Sequence, residues 1–397
     1  MAVFVGEQAL FSCTLWPGHS SNFTFLLLDS TVKDSLVETL ESLLAKRTDL
    51  DYIIIECSGM ADPGPVASVF WLDDALENRI RLDGVVTLVD AKNIIHELQS
   101  TSEAARQIAY ADRIIVNKID LLEQNNIKSN GDSYTIQTVL DKIKEINPTA
   151  SMRQTTFSKI DTIDWIIDAN CFDAERVRDV EVAFQQSLPN NATFGCFNPK
   201  CTVDHTAMEF CGLCEPDTSS SPPLVTQPHQ HTNTVGTIAL FNIGSIDLHK
   251  LNSWLASILW PNQDEKDGVL RARLEESLRT DPKTPPPTVS SESDGSIIYR
   301  VKGVVSVKHS IDSTGNVVHV PNSDIIDDDG RSSSFINKCN GLDNRRYILQ
   351  AVHDLWDTIP SKNLFWDPND TRCCKVIVIG KRLDEKALQD DFLKCFC

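Results

Sequence analysis

Long hydrophobic runs are missing from this 397-residue sequence. None approaches the roughly 18–20 apolar residues that a membrane-crossing helix needs, so a helical span is not expected. A basic leader is missing as well. The first stretch, "MAVFVGEQALFSCTLW", carries Glu7 and no lysine or arginine, which argues against a secretory signal. Positive charge is in short supply: 37 basic residues face 56 acidic ones, for a net charge of −19. So acidic a chain is a poor non-specific binder of nucleic acid or of an anionic membrane, and neither is expected as a partner. The sequence also has no Gly-x-x-x-x-Gly-Lys-Ser/Thr string, whose N–H groups commonly cradle nucleotide phosphates. Gly380 and Lys381 follow an apolar run in "VIVIGKR", but no glycine stands upstream at that spacing. Twelve cysteines in a chain this long do not make a disulfide scaffold. Reduced thiols, metal ligation and a cytoplasmic setting are the expectation.

What is present reads as a soluble globular chain, 41% hydrophobic and 23% charged, long enough for two domains. Val32, Leu36, Leu40, Leu43 and Leu44 share one face of a helix over residues 31–47. Tyr52 to Ile55 reads as a short buried strand. Helix is expected over 66–78, strand over 82–90, helix in "SEAARQIAYAD", strand in "RIIVNKIDLL", helix over 135–146 and a weaker strand over 150–156. Strands alternating with helices imply βαβ units and a parallel sheet. Residues 186–232 lose this periodicity and form a Cys/His-rich insertion or linker. Regular structure resumes with a strand over 234–242 and a helix capped by Ser245, whose Leu248, Leu251, Leu255, Ile258 and Leu259 share a face. "IIYRVKGVVSV", "RRYILQAVHDLWD" and "CKVIVIGKR" read as strands, and Leu388, Phe392 and Phe396 as the packing face of a last helix. Polar stretches near 262–296 and 310–343 read as disordered insertions. The second domain, residues 233–395, is therefore a smaller α+β unit with one helical layer.

Two strand ends carry chemistry. In "DYIIIECSGMADPGP" a buried strand runs into Glu56, and Gly59 follows. Ligands bind at the carboxyl ends of strands in parallel α/β sheets. A carboxylate there suits a magnesium ion, which keeps several waters and takes few protein ligands. The N–H of Gly59 could approach a γ-phosphate, and the loop after it, with Asp62, could act as a switch. In "RIIVNKIDLL", Asn117, Lys118 and Asp120 follow a second buried strand. The oxygens of Asp120 would accept from N1–H and the 2-amino group of guanine, a donor pair that adenine lacks. Asn117 would tie the loop together and reach N7, and the alkyl stem of Lys118 would cover the base.

These stretches, with "DGVVTLVDA" and "RVKGVVSV…RRYILQAVHDLWD…KVIVIGKRLDEKAL", resemble the CobW family of P-loop GTPases, and most of all its eukaryotic branch of zinc-regulated GTPase metallochaperones. The resemblance runs through roughly 31–180 and 233–395. It implies a parallel-sheet GTPase domain over 31–185 followed by a CobW C-terminal-type domain. It also implies GTP/GDP, Mg2+ and Zn2+ as ligands, and a client metalloprotein, methionine aminopeptidase in the eukaryotic branch. Two family elements are absent: the Gly-rich phosphate loop and a Cys-x-Cys-Cys motif, in whose place stand Leu27, Leu28, Asp29 and Ser30. Residues 1–30 therefore read as a leader foreign to the family, and the domain as truncated of its first strand and phosphate loop.

The insertion supplies Cys196, Cys201, His205, Cys211 and Cys214. Cys211 and Cys214 form a Cys-x-x-Cys knuckle, and Cys196 and Cys201 a looser pair. Four thiolates, or three with His205, would complete a tetrahedral zinc site; the alternative is a polar insertion with incidental thiols. His229 and His231 could add a metal-loading patch, a position where the resemblance also implies histidine. Cys57 and the Cys373–Cys374 pair read as core. Two functions follow. One is a GTPase whose nucleotide state gates zinc transfer. The other is a non-hydrolysing module that binds zinc and a partner, since phosphoryl transfer depends on the phosphate-cradling loop.

Overall fold

Six parallel strands organise the first domain of the protein, for which a computed structural model describes residues 2–5, 23–28, 33–47, 49–57, 62–72, 80–125, 134–173, 177–187, 235–260, 296–310, 335–337, 339–367 and 370–397. The strands are β1 (Ala2–Val5), β2 (Phe23–Leu28), β3 (Tyr52–Cys57), β4 (Gly84–Asp90), β5 (Arg113–Asn117) and β6 (Ser151–Gln154), in spatial order β2-β3-β1-β4-β5-β6. Helices α1 (Lys33–Lys46), α2 (Pro63–Leu72), α3 (Ile94–Ser100), α4 (Glu103–Tyr110), α5 (Ile119–Asn125) and α6 (Ile136–Ile146) connect them. The uninterrupted Ile53–Ile54–Ile55 run of β3 has a simple cause: both faces of the sheet are covered. Ile53 and Ile55 join Leu36, Leu40 and Leu44 of α1 in the main core, while Ile54 packs with Val86, Ile115, Ile160 and Ile166 on the other side. Each such side chain removed from water contributes about 1.5–3 kcal/mol.

Residues 1–30, expected to lie outside the domain, supply two of its strands. β1 lies between β3 and β4, pairing Ala2 with Ile54 and with Gly84, and β2 takes the sheet edge beside β3. Two strand places of the sheet are thus filled from residues 1–30, which read in sequence as a leader. "AVFV" and "FTFLLL" are short β-prone runs that fill two strand places without the family's motifs. The Gly-rich string itself remains absent from the sequence.

Helix α7 (Val177–Ser187) leads toward the second domain. That domain is a five-stranded antiparallel sheet of β7 (Val235–Ile243), β9 (Ile297–Val305), β11 (Arg345–Val352), β12 (Leu355–Phe365) and β13 (Cys373–Lys381), in order β12-β11-β9-β13-β7. A short parallel pair, β8 (Ile246–Asp247) with β10 (Val307–Lys308), flanks it. Helices α8 (Leu248–Leu259) and α9 (Glu385–Leu393) cover one face, where Leu251, Leu255 and Phe392 meet Leu240, Val376 and Val378. The other face packs on the first domain: Tyr299, Val352, Ile377 and Ile379 share a core with α2, α4 and β3 residues. Cys373 and Cys374 are buried, as their strand position requires.

Three local readings change. Helix α8 is capped by Asp247, which accepts from the Lys250 N–H at 3.0 Å, and Ser245 instead bonds the Ser306 hydroxyl. The "RRYILQAVHDLWD" run is two strands, turning at His353, whose φ is +59°; β12 had no clear signal because it is a polar, Pro360-bearing edge. The expected loose stretch 310–343 ends early. Ile336 bridges to Asp343, which is fully buried and accepts from Arg345 and from the Tyr347 hydroxyl at 2.7 Å. A polar sequence conceals this because its order comes from ionic pairing rather than apolar periodicity. Among the described residues no helix is long and apolar enough to cross a membrane.

Candidate functional site

The carboxyl ends of β3, β4 and β5 all open on one edge of the parallel sheet, so Glu56, Asp90 and Asn117 project toward the same end of the molecule. β1 and β4 separate β3 from β5. At ~4.8 Å per strand step, the two sequence motifs lie ~14 Å apart across the sheet.

The Asn117 turn is held by hydrogen bonds to residues 38 and 41 positions further along the chain. The Asn117 amide donates to the Ser158 hydroxyl at 2.7 Å, and its oxygen accepts from the Ser158 N–H at 2.9 Å and the Thr155 hydroxyl at 3.1 Å. The strand-following loop is thus clamped to the segment after β6. Lys118 has φ +61°, a left-handed conformation unusual for a non-glycine residue. Its ammonium pairs with Asp90 at 2.8 Å, and Asp90 also accepts from the Lys92 N–H and the Asn93 amide. Asp90 sits opposite Asn117 in the β4–β5 register. Asp120 lies in the first turn of α5, half-buried, and no described residue donates to its carboxylate. Asp90, Thr155 and Ser158 are the residues that sequence reasoning missed. Asp90 ends a buried strand just as Glu56 nearly does, and that was the available signal.

Glu56 is half-buried, one residue before the end of β3, and has no hydrogen-bond partner among the described residues. A hard carboxylate left open at this edge fits a magnesium ion. Gly59 lies outside the described residues. Next to Glu56, the Cys57 thiol is pushed up to about 12, first by burial and then by the Glu56 charge. It is a core thiol at neutral pH.

Asp62 is committed within the protein. One oxygen accepts from the Gly64 N–H at 2.9 Å, capping α2 in front of Pro63. The other pairs with Arg106 of α4 at 3.0 Å. Sequence reasoning grouped Asp62 with the nucleotide residues through the switch loop; these contacts tie the end of that loop to α2 and α4 of the first domain. The Arg106 guanidinium lies 5.9 Å from the Tyr299 ring centre, and Tyr299 packs on Tyr110 at 5.5 Å. Gly64 fits against the same group. A Cβ there would stand 2.5 Å from the Tyr110 hydroxyl and 2.9 Å from the His353 ring. Gly64→Ala is expected to cost about 1–3 kcal/mol, as overpacking does, and a lowered urea midpoint at unchanged slope would show it. No loss of stability would mean that the two domains do not close on this glycine.

Cys196, Cys201, His205, Cys211, Cys214, His229 and His231 lie outside the described residues. Among the described residues no group of three or more His, Cys, Asp or Glu side chains is placed to hold a metal ion.

With this geometry in hand, two family models match: residues 29–154 the CobW/HypB/UreG nucleotide-binding domain, and residues 337–396 the cobalamin synthesis protein CobW C-terminal domain. These two stretches are similar to the two domains of that family. Zinc-regulated GTPase metalloprotein activator 1 of Schizosaccharomyces pombe is 35% identical over 199 residues, covering 50% of this chain and 46% of the relative. The protein of that name from Saccharomyces cerevisiae is 30% identical over 169 residues, covering 38% and 37%. Zinc chaperone YjiA of Escherichia coli is 39% identical over 90 residues, covering 23% and 28%. The chain thus spans less than half the length of these curated relatives in the matched regions. The crystal structure of Zn(II)-bound YjiA GTPase from E. coli has a similar fold. That likeness has a TM-score of 0.55 at 16% identity and covers 100% of this chain and 98% of the other. At that identity the likeness establishes the fold.

Proposed function

We propose that this chain binds guanine nucleotide at the carboxyl edge of its parallel sheet and uses the nucleotide state to gate delivery of zinc to a client metalloprotein. The observation that carries the reading is the Asn117–Lys118–Asp120 turn. Its amide is clamped, its lysine is oriented by Asp90, and its one carboxylate, Asp120, has no donor among the described residues. Asn117 fixes the loop, the Lys118 stem covers the base, and Asp120 selects guanine. Glu56 would hold Mg2+ through water, which would offset phosphate charge, and Gly59 would meet the γ-phosphate. Relatives named as zinc-regulated GTPase activators and zinc chaperones support zinc as cargo. On this chain the cargo would sit on Cys196, Cys201, His205, Cys211 and Cys214, with His229 and His231 as a loading patch. Methionine aminopeptidase is the client that the family resemblance implies, in the cytoplasm.

A second reading has a specific observation behind it. Without a Gly-x-x-x-x-Gly-Lys-Ser/Thr string, this sequence lacks the loop that stabilises a transferring phosphoryl group. In that reading the chain is a zinc- and partner-binding module with little turnover. Titration with a fluorescent GDP analogue, alongside metal analysis of the purified full chain, separates the outcomes. Saturable GDP binding with retained zinc is expected. Absence of nucleotide binding would overturn the gating reading. Loss of all zinc, with the four insertion thiols freely alkylated, would remove the cargo site.

A further inference from the structure

Beside the Asn117 turn the chain makes a second turn that its own sequence disfavours. Residues 156–159 read Thr-Phe-Ser-Lys, and the Lys159 N–H donates to the Thr156 carbonyl at 3.3 Å. The two central residues, Phe157 and Ser158, have φ of +54° and +53°. Two positive φ angles in succession define a mirror-image type I turn, a place that favours Asn-Gly and penalises a bulky side chain. The phenylalanine gains nothing from packing in return, being 81% exposed. A single exposed apolar residue is ordinary. An aromatic held in a left-handed turn, in water, by side-chain hydrogen bonds is not.

Those bonds come from the candidate nucleotide site. Asn117 grips Ser158 through both its amide nitrogen and its oxygen. Thr155 donates its backbone N–H to the Val116 carbonyl and accepts from the Ile119 N–H. The turn is therefore laced to residues 116–119, directly beside Lys118 and one residue short of Asp120. Strain of this kind collects at ligand clamps, where the surroundings over-determine a costly conformation.

We propose that Phe157 is the aromatic wall of the base pocket, stacking on one face of a guanine whose edge meets Asp120 and whose other face is covered by the Lys118 stem. This inference rests on the guanine-nucleotide reading above and adds a residue to it. Stacking is tolerant of base identity because every base has a π-face. Phe157 thus contributes affinity, while Asp120 contributes the choice of base.

The test is titration of the full chain with a fluorescent GDP analogue, together with thermal unfolding of the nucleotide-free protein. Phe157→Ala should weaken GDP binding about tenfold or more, the range found when an aromatic stacked on a base is truncated. Phe157→Trp should keep affinity within about threefold, since it restores a stacking face. Phe157→Gly should weaken binding as much as the alanine variant while raising the apo melting temperature by about 2 °C, because glycine accepts φ > 0 without strain. A residue with a purely structural role would not move those two readouts in opposite directions. Wild-type binding of GDP with equal affinity in Phe157→Ala would overturn this inference and leave the nucleotide reading standing. A wild-type chain that binds no GDP would overturn both.

Discussion

Asp112→Ala is expected to cost the folded protein about 3–5 kcal/mol, the range for removing one partner of a buried ion group. Asp112 follows α4 and precedes β5 in the first domain. The Asp112 carboxylate is fully buried between Arg300 and Lys302 of β9 in the second. Arg300 donates to one of its oxygens, and Lys302 donates to the same oxygen at 2.9 Å. The other oxygen accepts from the Val85 N–H at 3.0 Å. Truncation would leave two cations, 0% and 10% exposed, facing each other without a counter-charge. Typical domains are stable by only about 5–15 kcal/mol, so this is a large fraction of the whole. Replacing Asp112, Arg300 and Lys302 together by apolar residues of similar volume should cost far less than the single alanine, because no buried charge remains. Urea unfolding of the two variants makes the comparison. A single variant within about 0.5 kcal/mol of wild type would show that the domains are not joined through this carboxylate.

Acid should do part of the same thing. Burial alone would raise the Asp112 pKa, but the Arg300 and Lys302 charges outweigh it and hold the carboxyl below its ordinary range. A folded pKa below the unfolded one means that the stabilisation is complete above the unfolded value of about 3.9. It is lost as pH falls from there toward the folded value. Asp343 works in the same direction. Burial opposes its ionisation, but its bonds with His309 and Arg345 hold its carboxyl far below the usual range. The acid limb of stability should therefore be steep below about pH 4 and shallower in Asp343→Asn.

The second large effect is on ligand choice. Asp120→Asn is expected to weaken GDP binding by about 100-fold or more, because an amide cannot accept from both N1–H and the 2-amino group. The unpaired donors on guanine would then be buried without partners. Xanthine presents a carbonyl in place of the 2-amino group, which an amide can satisfy. Xanthosine diphosphate should therefore bind the variant better than GDP, reversing the wild-type order. Stability should change by no more than about 0.5 kcal/mol, since Asp120 is only half-buried and has no protein donor among the described residues. Competition titration of both diphosphates against wild type and variant reads this directly. Unchanged GDP affinity would remove Asp120 from the base site and take the guanine assignment with it.

Legibility followed the kind of interaction. The runs around Ile54, Val86 and Ile115 were readable because a strand covered on both faces must be apolar throughout. The faces of α1 and α8 were readable because burial imposes the helical period on the leucines. Lys118 and Asp120 were readable because a polar turn directly after a buried strand stands out against the apolar run before it. Helix α7 was not. Its burial is divided between the two domains, with Phe184 in the first core and Val180 against Val304 and Ile348. Its Glu181 meets Arg346 and Lys375 from distant strands.

The sequence by itself determined the alternation of strand and helix, the two strand-end motifs and the acidic surface charge, since each depends on neighbours within a few residues. Only the tertiary structure decided that β1 lies between β3 and β4, that Asp62 pairs with Arg106, that Gly64 bears on Tyr110 and on His353 of the second domain, and that Asp112 is neutralised by Arg300 and Lys302. Those outcomes require partners up to 289 positions apart, the separation of Gly64 from His353. Charge pairing and steric fit at such separations leave no periodic trace in the chain.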